Sequence, residues 1–283
     1  MQKQKRNYLI IACVILLCLL IFYLKCIKEG FDNNVNYIEG VDIIYWINLD
    51  RSPDRRALME NLLTDKSFND IPNERIVAYD GKNDSTKVFS KLNVKTHPRK
   101  KTNSEYACLL SHLEAIRKFN ESDKKVALIF EDDVTLEFQK YWNTSIKDII
   151  KSAPSNWDII LLNYIYGSEN SKFYNWKTGD NYDMVTKNNY YSCLSYIINK
   201  NGSAKIMKDY KKGIYTLSSD TTHVSDIYLF QKTNSYAYKY PMFTYKTLND
   251  STIHDSHIDY NKNSKLRIIH NYNNMSDATK QKK

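Results

Sequence analysis

Short apolar runs that end in polar residues, separated by segments of helical periodicity, constrain this chain more than any other feature. The clearest is Val126-Ala127-Leu128-Ile129-Phe130. Successive side chains of a strand point to opposite faces, so five apolar residues in a row require a sheet covered on both sides. Residues 42–49, 75–79, 157–162 and 190–198 read as further strands. Between them, Ser52-Pro53 starts a helix with proline in its first turn. A second helix begins at Asn103-Ser104, with Ala107, Leu110, Leu113, Ala115, Ile116 and Phe119 at helical spacing. Shorter helices are expected at Ile146 to Ile150, at 202–210 and at 224–230. Strands alternating with helices imply an α/β domain with a mainly parallel central sheet. Residues 82–101 are expected as an irregular surface excursion, and 164–189 as a polar, aromatic-rich insertion.

The amino-terminal region is of a different kind. Residues 8–24 form a run of 17 without a charge. At about 1.5 Å per helical residue this just spans a hydrocarbon core. Lys3, Lys5 and Arg6 precede it, which favours a cytoplasmic amino terminus. A cleaved signal peptide is the competing reading, but no small-x-small cleavage site follows. The expectation is a single-pass type II membrane protein, its globular part in the secretory lumen (ER or Golgi) or behind an equivalent host membrane. The expected organisation is a tail at 1–7, an anchor at 8–24, a stem at 25–40, a catalytic domain at 41–255 and a polar tail at 256–283. The net charge is +9, but its lysines and arginines are scattered and lack interleaved aromatics, so a nucleic-acid partner is not expected. Cys108 and Cys193 are the only cysteines beyond the anchor region. Without a CxxC pair, a zinc module is not expected.

Ligands of open parallel sheets bind beyond the carboxyl ends of the strands. Glu131-Asp132-Asp133 stands at such an end. Three adjacent carboxylates repel one another unless a cation compensates, and magnesium or manganese prefers such oxygen ligands beside diphosphate oxygens. A solvated acidic turn or helix start is the alternative. Asn48-Leu49-Asp50-Arg51 lies at the end of the first strand, on the same sheet edge, with Arg55 and Arg56 on the helix that follows. Arginine binds phosphate bidentately; a surface pair of Arg56 with Glu60 is the competing role. Asp80-Gly81 is a third strand end, or an ordinary turn. Asp226 opens a short helix as a helix-start acid or a base. His112 within its helix reads as a packed residue, and His254 and His257 as surface residues or metal ligands. The chain carries no GxSxG, Walker A, HExxH or GxGxxG signature.

Taken together, these segments resemble glycosyltransferase family 25. Ile47-Asn48-Leu49-Asp50-Arg51-Ser52-Pro53-Asp54-Arg55-Arg56 is similar to its opening INLDRSxDRR, and Ala78-Tyr79-Asp80-Gly81 to its AxDG. Glu105 to His112 resembles ExxCxLSH, Phe130 to Val134 resembles xEDDV, and Trp157-Asp158-Ile159-Ile160 the strand after it. Weaker similarity continues through Val224-Ser225-Asp226 and residues 241–251. The family's usual glycine before the third motif is Ser104 here, and the tyrosine-rich insertion has no counterpart in its bacterial members. The resemblance implies a single GT-A-type domain and an inverting, metal-dependent transfer of galactose or glucose. The donor would be a UDP-hexose and the acceptor a glycan or glycoprotein hydroxyl. By the same resemblance, manganese or magnesium would be held by Asp133, with Glu131 or Asp132, and His254 as a further ligand. Asn48, Leu49, Asp50, Arg51, Arg56, Asp80 and Gly81 would bind the nucleotide, with Glu131 and Asp132. Asp226 would be the base. An inactive nucleotide-sugar-binding scaffold of the same fold is the alternative.

Overall fold

The structure is a computed structural model that describes residues 36–95, 101–176, 179–246 and 258–280. Its centre is a sheet of seven strands. In chain order these are β1 (Ile43–Asn48), β2 (Asn73–Val77), β3 (Val126–Glu131), β4 (Ile159–Leu161), β5 (Tyr182–Met184), β6 (Ser195–Asn199) and β7 (Ser235–Tyr238). Their spatial order is β2-β1-β3-β6-β4-β7-β5. Strands β2, β1, β3, β4 and β7 run one way; β6 and β5 run against them. The expected mainly parallel α/β sheet is therefore present, with two antiparallel members.

The apolar runs do what their alternation requires. Ala127 and Ile129 of β3 enter one core with Leu109, Leu113 and Ile116 of the helix Asn103–Glu121. Leu128 and Phe130 enter the core on the other face with Met59, Ile146 and Ile149. All four strand residues are fully buried, each contributing about 1.5–3 kcal/mol for the larger side chains. The helix Pro53–Leu62 follows β1 with proline at its first position. The helix Asn103–Glu121 starts in a capping box, Thr102 and Glu105 each bonding the other's backbone amide.

Four segments depart from the sequence expectation. Residues 82–95 hold a helix, Ser85–Ser90, and a strand, Leu92–Val94, which pairs with Ile214–Leu217. Val88 and Leu92 are its buried anchors, with Val94 packed beside them and Phe89 against Tyr106, too few apolar residues to show a period. In the insertion at 164–189, Tyr164, Tyr166 and Phe173 are buried and pack with Tyr190. The hydroxyls of Tyr164 and Tyr166 donate to the carbonyls of Lys239 and Phe173, both at 2.8 Å. A tyrosine so satisfied packs as a large hydrophobe although it scores as polar. The strand expected at 190–198 is broken at Ser192, whose φ is +106°; Tyr190–Tyr191 pairs with Ile165–Tyr166, and β6 begins three residues later. Finally, the segment expected as a polar tail contains a helix, Ile258–Lys280. Its Ile268 and Tyr272 are buried, and Tyr272 stacks on Tyr141 at 4.2 Å. With Ile269 and Met275 packed beside them, a few apolar contacts over several turns suffice for docking but give a weak sequence signal.

Residues 37–283 cluster as one unit. Ile38, placed by the sequence in the stem, is fully buried in the second core. Most of the stem, and all of the tail and anchor expected at 1–24, lie outside the described residues. Among the described residues no helix is long and apolar enough to cross a membrane.

Candidate functional site

Strands β1 and β3 are parallel neighbours, with Ile47 opposite Glu131, so Asn48 and the acidic triplet end on the same edge. Above that edge lies a cleft of about 270 Å³. This is near the lower end of small-molecule sites. It is lined by Asn48, Leu49, Arg51, Asp80, Gly81 and the whole triplet, among others. Seven of the sequence-inferred nucleotide residues therefore converge: Asn48, Leu49, Arg51, Asp80, Gly81, Glu131 and Asp132.

Asn48 is almost fully buried. Its amide nitrogen donates to Asp132 Oδ2 at 2.6 Å and to the Ser52 carbonyl at 3.2 Å, and its amide oxygen accepts from Arg75 at 3.0 Å. It thus fastens three segments of the sheet edge. Arg51 bonds Asp80 at 2.7 Å. Burial opposes the charge of Asp80, but the guanidinium and the amides of Asn83 and Lys82 outweigh it and hold the carboxyl below its ordinary range. Gly81 sits against the start of the helix Asn103–Glu121. A Cβ there would fall 2.2 Å from the Asn103 carbonyl oxygen.

The three acids have different surroundings. Both oxygens of Asp132 are taken, one by Asn48 and one by Arg55 at 2.8 Å. Burial nevertheless raises its pKa, with Arg55 and Asn48 opposing. Asp133 pairs with Arg55 through one oxygen at 3.2 Å, while its Oδ1 is buried and has no hydrogen-bond partner among the described residues. Burial, and then the charge of Glu131, push its pKa up to about 7, against the pull of Arg55. Glu131 accepts from His112 Nε2 at 3.0 Å. On the other side of the ring, Nδ1 lies 3.2 Å from the Tyr196 hydroxyl, a hydrogen bond whose direction follows the tautomer. His112 is thereby fixed between a strand and the cleft, and it orients Glu131.

An orphaned carboxylate oxygen beside two other acids is the observation a divalent cation would explain, and its oxygen donors suit manganese or magnesium. A second grouping, Cys108, His112 and Glu131, brings one ligand atom each within 4.8 Å. It fits a metal less well. Burial first, then the charge of Glu131, hold the Cys108 thiol above its ordinary value, and the sulfur lies 3.5 Å from Ser225 Oγ. A metal needs the thiolate.

Three sequence-inferred residues are not brought into the cleft. Arg56 turns outward to pair with Glu60 at 2.7 Å, because one helical residue is about 100° of rotation and Arg55 takes the inward position. Asp50 is exposed and pairs with Arg75 at 2.7 Å. Asp226 lies behind the cleft wall, accepting from the amide of Ser192, a lining residue, at 3.2 Å. Burial raises its pKa, its backbone hydrogen bonds opposing and Glu131 adding to the rise. His254 lies outside the described residues. Sequence reasoning also passed over His112 as packing and over Lys246 and Lys262, which line the cleft. The i,i+4 spacing of Cys108 and His112 was the available signal for His112; the two lysines offered none.

The motifs thus have physical readings. In Glu105 to His112, Glu105 caps the helix, Ser111 accepts the Tyr79 amide at 2.9 Å, and Cys108 and His112 face the cleft. Residues 41–223 match the family model "Glycosyltransferase family 25 (LPS biosynthesis protein)". A glycosyltransferase 25 family member of Aedes aegypti is 28% identical over 180 residues, 60% of this chain and 28% of the relative. One of Drosophila melanogaster is 29% identical over 179 residues, 59% and 28% of the respective chains. Human procollagen galactosyltransferase 2 is 31% identical over 132 residues, 44% and 21%. The chain therefore spans under a third of the length of these relatives.

Proposed function

The chain belongs to glycosyltransferase family 25, and from that premise we propose that it transfers a hexose, galactose or glucose, from a UDP-sugar to a glycan or glycoprotein hydroxyl. Inversion at the anomeric carbon and a GT-A-type domain are part of the proposal. The observation that carries it is the unpartnered Oδ1 of Asp133 in a cleft that also gathers the Asn48–Arg51 segment. The galactosyl specificity named for the human relative supports the choice of hexose.

Asp133 and Glu131 would hold manganese or magnesium, which when bound would neutralise charge building on the departing diphosphate. Asp132 serves differently. Saturated by Asn48 and Arg55, it braces the sheet edge and places Arg55 beside Asp133. Leu49 and the Arg51–Asp80 pair would enclose the nucleoside. His112 holds Glu131 aimed into the cleft. Asp226 is kept as the proposed base on the family resemblance alone, since it stands behind the cleft wall with its oxygens accepting from the Ser192 and Ile227 amides; burial raises its pKa. Anchoring by residues 8–24 in type II orientation is proposed on the length of the apolar run and its basic flank.

Donor hydrolysis with UDP-galactose and UDP-glucose tests the reading, measured with manganese and with chelator, for the wild type, Asp133→Ala and Asp226→Asn. Manganese-dependent turnover lost in the first variant, with kcat lowered at unchanged donor KM in the second, is expected. Equal rates for wild type and Asp133→Ala would refute the metal assignment. Tight UDP binding without turnover of any acceptor would leave the scaffold reading in its place.

A further inference from the structure

Among the described residues, two cations in the cleft form no ion pair. Arg51 is committed to Asp80, and Arg55 to Asp132 and Asp133. Lys246 and Lys262 also line the cleft. Both are exposed, and among the described residues neither forms an ion pair. Their neighbour Lys265 is committed, bonding Glu137 at 2.5 Å and the Tyr245 carbonyl at 3.0 Å.

Their positions are set by the backbone. The pair Thr244–Tyr245 runs antiparallel to Val134–Thr135, which directly follows the acidic triplet. The Lys246 amide then donates to the Asp133 carbonyl at 2.9 Å. Lys246 is therefore pinned to the residue with the orphaned carboxylate oxygen. Lys262 is placed through the same Tyr245. The Tyr245 hydroxyl donates to the carbonyl of Asn261, and Lys265 returns to the Tyr245 carbonyl. One tyrosine thus fixes the first turns of the helix Ile258–Lys280 against the cleft mouth. This wall lies beyond residues 41–223, the part matched by the family model.

We infer that Lys246 and Lys262 form a diphosphate-binding wall, contacting the phosphoryl oxygens of the donor beside the Asp133 carboxylate. The inference rests on the nucleotide-sugar reading of the cleft and assigns the phosphate contacts within it. The charges agree. The described lining residues include Arg51, Arg55, Lys246 and Lys262 against Asp80, Glu131, Asp132 and Asp133, formally balanced. A divalent cation and a doubly charged diphosphate diester then enter together without leaving net charge. An ammonium reaching a phosphate is a charge-assisted contact of the stronger kind, and lysine serves as a point-charge phosphate ligand in other sites. Solvated surface lysines are the bland alternative. They would not converge on one cleft, next to the proposed metal ligand, through a single tyrosine.

The test is calorimetry on the full chain with manganese, using UDP, uridine and inorganic diphosphate as probes. The proteins are the wild type, Lys246→Ala, Lys262→Ala and the corresponding arginine variants. Each alanine variant is expected to weaken UDP and inorganic diphosphate about tenfold while changing uridine less than twofold. Arginine should recover most of the loss. Melting temperatures should not move, because both side chains are exposed. Unchanged UDP affinity in both alanine variants, or equal losses for UDP and uridine, would overturn the inference and leave the nucleotide-sugar reading standing. If inorganic diphosphate binds through the lysines while UDP gains nothing from its uridine, the nucleotide reading fails and the anion wall survives.

Discussion

Replacing Asp133 by asparagine should stabilise the metal-free protein while abolishing its response to manganese. The carboxyl stands at about 7 against an ordinary value of 3.8, chiefly through burial. Its folded-state pKa lies above the unfolded one, so the cost of folding with the ionised group is absent below about pH 4. That cost grows as pH rises through the window from about 4 to 7 and is complete above 7. The full shift is worth about 4 kcal/mol at 1.36 kcal/mol per tenfold change in proton affinity. The side chain keeps 30% of its surface exposed, and solvent screening reduces the figure to about 2 kcal/mol. Asparagine removes the charge at nearly constant volume. At pH 8 without metal it should raise the melting temperature by roughly 4–8 °C, and by less than half of that at pH 5. Saturating manganese should stabilise the wild type at pH 8 by about 2.7 kcal/mol at a hundred times its Kd, and leave the variant unmoved. Thermal melts at both pH values, with manganese and with chelator, decide it. A variant that melts lower than wild type at pH 8, or that gains equally at both pH values, refutes the assignment of a buried charge that Arg55 only partly compensates. A variant that still responds to manganese refutes the ligand role.

Two other substitutions separate neighbouring residues by function. Gly81→Ala should cost about 2–3 kcal/mol in chemical denaturation, since its Cβ meets a helix-start carbonyl 2.2 Å away that cannot retreat without moving the helix. A change under 0.5 kcal/mol would show that the contact yields. Arg56→Ala should leave stability within about 0.5 kcal/mol and UDP affinity unchanged, because its pair with Glu60 is half exposed. Arg55→Ala should lose UDP affinity, and if the two variants behave alike in calorimetry, the outward placement of Arg56 is wrong.

Much of this site was legible in the sequence because strands that are buried on both faces announce themselves. A run such as 126–130 has one solution, and whatever follows it must stand at a sheet edge. Glu131-Asp132-Asp133, Asn48-Leu49 and Asp80-Gly81 each follow such a run and therefore stand at a strand end, and the family motifs lie on the same ends. Distinguishing the acids needed the third dimension. Asp132 is saturated and Asp133 has a free oxygen because Asn48 and Arg55 arrive from another strand and another helix, and adjacency in sequence carries no trace of that. The same holds for Arg55 over Arg56, a matter of one step of helical rotation, and for His112, whose partner is on β3. The tyrosine-rich insertion and the last helix read as polar in the sequence because hydroxyl groups and sparse apolar contacts weigh little in a sequence pattern. Tertiary packing decides them: each buried hydroxyl finds a carbonyl, and Tyr245 draws Lys246 and Lys262 to the cleft. Sequence alone determined which edge carries the chemistry, since burial dictates local structure; only tertiary contact decided which groups on that edge are spent on one another and which are left for a ligand.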